Sequence, residues 1–125
     1  MRVEYVTDGA DGRPLIRLYE YTPSDVWRLR DLVSELALGV RQSASLENES
    51  WAVFVGGCRL DLRRDSRDTG IRQVGPLRFE CALSSSGWSN VEGLLDPFCA
   101  SEIPGFQWLT HEGRISLLIS QNGRC

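Results

Sequence analysis

The chain contains no lysine; all fourteen of its basic residues are arginine, set against seventeen acids for a net charge of −3. It has one histidine and one methionine. No stretch approaches the roughly 18 apolar residues that suggest a membrane helix, and the opening MRVEYVTDG lacks the apolar core of a secretory leader. Each absence excludes something. A nucleic-acid binder carries a basic footprint on one face. Here acids outnumber arginines, and the densest basic run, Arg59 to Arg67, is broken by Asp61 and Asp65. Neither a nucleic-acid nor a membrane partner is expected.

The chemistry-bearing motifs are missing too. There is no phosphate loop, dinucleotide fingerprint, nucleophile elbow or zincin helix. Cys58, Cys81, Cys99 and Cys125 lie far apart, without the close C-x2-C pairs of a structural zinc site. Asp8 and Asp11, and likewise Asp65 and Asp68, lack the ligand spacing of a calcium loop. No cofactor or metal is expected. Arginine without lysine follows from a GC-rich genome. With the small size and the missing leader, it points to a bacterial cytoplasm and reduced thiols.

What is present describes a fold. A length of 125 residues suits one domain, 1–125. Such a chain buries roughly two thirds of its unfolded surface and needs no metal or disulfide. Arg2 to Thr7 and Pro14 to Tyr21 read as a strand pair around the turn residues DGADGR. Thr22-Pro23-Ser24-Asp25 sets a cap residue before a proline at the first helical position. The helix it starts runs to about Leu38 and stops at Gly39. Val26, Leu29, Val33, Leu36 and Val40 recur at steps of three and four and form one buried stripe, flanked by Trp27.

Arg41 to Ser50 reads as a loop. Trp51 to Leu83 then reads as two long strands, WAVFVGGCRLDLRR and IRQVGPLRFECAL, joined by DSRDTG. Pairing Arg64 with Ile71 sets Cys58 opposite Leu77, Gly56 opposite Phe79, Phe54 opposite Cys81 and Ala52 opposite Leu83. The Gly56-Gly57 pair marks a bulge or bend, and Pro76 interrupts the ladder. Ser84 to Gly87 reads as a loop, and Ser89 to Glu92 as the capped start of a short helix to Leu95. A connection from Phe98 to Gly105 leads to a last hairpin, Phe106 to Thr110 with Ile115 to Ile119, turning at Glu112-Gly113. Trp108 then meets Leu117 and Phe106 meets Ile119, which makes Trp108, like Trp27, a core residue.

The expected fold class is α+β: a mainly antiparallel sheet of five or six strands packed on one main amphipathic helix, in the order β-β-α-β-β-(α)-β-β. Two candidate sites stand out. The face carrying Arg59, Asp61, Arg63 and Glu80 is a solvated lattice of ion pairs, or a carboxylate–arginine site for a polar ligand. The loop SGWSN offers Trp88 as an exposed aromatic anchor for an interface. His111 falls beside a turn and reads as a surface residue. In size, acidity and lack of catalytic residues, the chain is similar to small bacterial binding proteins, immunity-type partners of toxins among them. That similarity is compositional and carries no residue over. The expected function is non-catalytic binding of another protein, or homodimerisation. The alternative is a small-molecule site or an enzyme, between helix and sheet or on the Arg59/Asp61/Arg63/Glu80 face.

Overall fold

Local signals act first. In the computed structural model, which describes residues 1–100 and 105–125, β1 (Arg2–Val6) pairs antiparallel with β2 (Leu15–Tyr19). Val3 lies opposite Leu18 and Tyr5 opposite Ile16. Helix α1 (Pro23–Leu38) begins with a reciprocal cap. The Asp25 N–H donates to the Thr22 hydroxyl at 3.2 Å, and the Thr22 N–H donates to the Asp25 carboxylate at 3.0 Å. Gly39 ends the helix at φ 79°, a left-handed conformation that glycine adopts without penalty. Val26, Leu29, Leu32, Val33 and Leu36 are buried.

Two residues assigned to that buried face are corrected. Val40 lies past the glycine stop, off the helical stripe, and is 74% exposed. Trp27 is 49% exposed, with the Arg30 guanidinium stacked 5.3 Å from its ring centre.

The long hairpin from Trp51 to Leu83 is also corrected. Its first strand breaks at Gly56 and Gly57, whose φ values of 72° and 80° turn the chain out of the sheet. The pieces are β4 (Val53–Val55) and β5 (Arg59–Arg64), and they join different sheets. The second strand breaks at Pro76-Leu77, a two-residue turn between β6 (Gly70–Gly75) and β7 (Arg78–Leu83). Proline lacks the ladder N–H, and Leu77 takes φ 57°. The hairpin therefore forms within the run predicted to be one strand. β7 then lies parallel to β5, with Leu60 beside Phe79 and Leu62 beside Cys81.

The result is α+β, but with two mixed sheets in place of one mainly antiparallel sheet. Among the described residues the larger runs β4-β1-β2-β9-β8, and the smaller β3-β5-β7-β6. β3 (Ser43–Ser45) forms inside the expected loop, followed by a 3-10 turn, Leu46–Asn48, that buries Leu46. β8 (Phe106–Thr110) and β9 (Ser116–Ser120) are antiparallel as expected, but the register differs by one. Trp108 meets Leu118 and Phe106 meets Ser120, and a bulge follows Trp108. Both rings thus leave the core face; Trp108 is half-buried and Phe106 exposed. The connection from Phe98 to Gly105 lies partly outside the described residues.

A second helix, α2 (Ser85–Leu95), is longer and earlier than expected. Ser84 caps it by accepting the Gly87 N–H at 3.1 Å, so the serine-rich run predicted as a loop is its first turn. One cluster of buried side chains draws on both sheets and both helices. At its centre Leu29, Val33, Leu60, Trp88, Val91 and Leu117 surround a void of about 10 Å3. A cavity needs roughly 10–15 Å3 and polar partners to hold one water, so this void has no room for a ligand. None of the described helices is long and apolar enough to cross a membrane.

Candidate functional site

Alternation along β5 and β7 sorts their side chains onto two faces. Leu60, Leu62, Phe79, Cys81 and Leu83 point inward and are buried. Arg59, Asp61, Arg63, Arg78 and Glu80 point outward, so the structure brings the four predicted face residues together. The parallel register sets Arg59 beside Arg78 and Asp61 beside Glu80. Like charges in adjacent positions repel. Diagonal pairs relieve this: Arg78 to Asp61 at 3.7 Å and Arg63 to Glu80 at 3.1 Å.

Flanking elements complete the lattice. Glu47, from the 3-10 turn, bridges Arg59 at 2.8 Å and Arg78 at 3.1 Å. Arg72 of β6 reaches Glu80 at 3.0 Å, and Asp65 reaches Arg63 at 3.3 Å. The Ser45 hydroxyl donates to Asp61 at 2.6 Å. Four arginines meet four carboxylates, and each carboxylate is engaged. Among the described residues the charges of this surface largely neutralise one another, while the buried Nε of Arg63 has no hydrogen-bond partner.

Trp88 is not an exposed anchor. It sits one turn inside α2, is 1% exposed, and donates its indole N–H to the Arg63 carbonyl at 3.0 Å. The expected contact loop is a helix turn facing the core. His111 is exposed, 5.4 Å between ring centres from Trp108. All four cysteines are free. Burial raises the thiol pKa of Cys58, Cys81 and Cys99, so these thiols are poor nucleophiles. Cys125 is exposed. Among the described residues, no three His, Cys, Asp or Glu side chains are arranged to hold a metal ion.

The concave surfaces lie elsewhere. Asp11, Arg13, Trp108, His111 and Ser116 border an open cleft of about 410 Å3. A second, of about 230 Å3, holds Asp68, Ser86, Asn90 and Glu112. A third, larger than these two at about 520 Å3, is lined by residues of both sheets. Its walls are Tyr5, Pro14, Ile71 and Ile115, with Arg72 and Arg114 at the sides and no acid in the lining. One wall is β6, the outermost strand of the smaller sheet.

Among the described residues, the outer side of β6 is bridged at Ile71 to Ile115, and the Glu112-Gly113 turn packs against Gly70 and Ile71. From Arg72 to Gly75 that side pairs with no strand among the described residues. Val74 and Leu77 stand half-exposed at its far end. Sequence reasoning missed this groove because it placed the Ile71 to Leu83 run in one strand. Pro76 carried the available signal: taken as a hairpin turn, it releases β6 to the sheet edge. Comparison with protein-family models, with curated proteins and with solved structures found no match.

Proposed function

We propose that this protein is a non-catalytic binding domain whose partner is another protein. The observation that supports it is the open edge of β6 beside an apolar groove. Unpaired strand edges bind extended segments of other chains through main-chain hydrogen bonds, and folds that do not use them protect them. Two of the other sheet edges are short, β3 and β4 having three residues each, and β8 is bulged. β6 has six residues; it is bulged between Gln73 and Gly75, and its open stretch is Arg72 to Gly75. Exposed Val74 and Leu77 add apolar surface where a partner would lie.

The test is capture from the native host. Tagged protein should retain a partner that is lost when Val74 and Leu77 are both changed to Glu, with the fold intact by circular dichroism. Recovery of no partner, together with a small ligand retained in the purified protein, would overturn the reading.

A second reading, binding of a small polar ligand, is favoured by the cleft at His111. Its volume falls in the range of ligand sites, roughly 300–1,000 Å3, and Asp11, Arg13 and Ser116 border it with the Trp108 ring. His111→Ala would then abolish binding of that ligand without affecting protein capture.

A further inference from the structure

We infer that the groove along β6 takes an extended peptide segment in which apolar and acidic residues alternate, added as a fifth strand to the smaller sheet. The inference rests on the protein-binding reading and specifies its site and chemistry. In β6, Ile71 shares the inner face with Cys81, while Arg72 shares the outer face with Glu80. A strand added beside β6 inherits the same alternation. Its inward side chains would enter the space walled by Tyr5, Pro14, Ile71 and Ile115. Tyr5 is held there by its ring contact with Phe79, at 4.5 Å between centres.

The outward side chains of the added strand would lie beside Arg72. Arg114, at the side of the groove, is exposed and joins no ion pair among the described residues. Glu80 already shares its charge between Arg63 and Arg72. With Arg72 already paired to Glu80, Arg114 and a groove lining without acids select carboxylates on the incoming strand, since guanidinium matches carboxylate in charge and in bidentate geometry. Apolar pockets on one side and arginines on the other set a period of two.

The test uses the full chain and a displayed library of random linear 12-residue peptides. Selection should enrich sequences that alternate apolar residues with Asp or Glu. Titrating one such synthetic peptide into isotope-labelled protein should shift the amide resonances of Arg72 to Gly75 and of Ile115. Arg114→Glu should weaken it roughly tenfold, and Arg114→Gln less, at unchanged melting temperature. Enrichment without charge preference, shifts confined to other residues, or no effect of Arg114→Glu overturns the proposal. If selection yields nothing while the tagged chain still captures a partner insensitive to Arg114→Glu, protein binding stands and this groove is not its site. If neither selection nor capture yields a binder, both readings fall.

Discussion

The indole N–H of Trp88 donates to the main-chain carbonyl of Arg63, 3.0 Å away, and so fastens α2 to the strand that carries the charged face. Two substitutions separate the bond from the burial. Trp88→Phe keeps an aromatic ring and removes the donor, and is expected to cost about 1–3 kcal/mol. Trp88→Ala also opens a cavity and is expected to cost about 3–5 kcal/mol. Urea unfolding reads both. Equal losses would show that the hydrogen bond outweighs the packing.

Gly56 and Gly57 make the swivel between the sheets, both at positive φ with open space where a side chain would point. Alanine at either position meets no atom, so its cost is conformational alone, about 1–2 kcal/mol. Gly93, inside α2 with equally open space, is the control. There alanine should raise stability by about 0.5–1 kcal/mol. Thermal melts should move in opposite directions for the two sites.

Asp25 confers a pH dependence. Burial alone would raise its pKa. The hydrogen bonds from the Met1 ammonium, at 2.8 Å, and from the Thr22 N–H outweigh that, together with the ammonium charge, and the pKa is lowered. A carboxylate whose folded pKa lies below its unfolded value, about 3.9, stabilises the fold above that value. The contribution is lost as pH falls through the folded pKa. Asp25→Asn should therefore lower the melting temperature at pH 7. The gap from the parent should close as pH drops below about 4.

Glu47 holds two like-charged neighbours in place on the charged face. Glu47→Gln leaves Arg59 and Arg78 adjacent without their bridging carboxylate. Both pairs are surface pairs, so the expected loss is at most about 1 kcal/mol. It should fade above 0.5 M salt, where screening shortens the reach of charge. A loss that persists in high salt would mean that packing of the Glu47 side chain matters more than its charge.

The elements legible in the sequence carried their own local chemistry. Thr22, Pro23, Asp25 and Gly39 mark both ends of α1 without reference to anything distant. The first hairpin follows from alternation in neighbouring segments. Alternation also set Phe79 and Cys81 on one face and Arg59, Asp61, Arg63 and Glu80 on the other, and that separation holds in β5 and β7. It does not say which strand lies beside which. A parallel neighbour such as β7 for β5 leaves the same period in the sequence as an antiparallel one. Gly56-Gly57 and Pro76 stood out as irregularities, yet whether such a residue kinks a strand or ends it depends on what the next segment packs against. Trp88 was misread for a related reason. A serine-rich stretch favours loops and helix caps alike, and only the core behind α2 decides between them.

The position of β9 sets an order of events during synthesis. It lies between β2 and β8 in the larger sheet, and its partner β2 is made about a hundred residues earlier. Until β9 leaves the ribosome, the side of β2 that will receive it stands open, with Ile16 and Leu18 uncovered by Leu117 and Ile119. Pairings between such distant segments form slowly. The larger sheet cannot gain β8 until β9 has paired with β2, so its closure is expected late in folding.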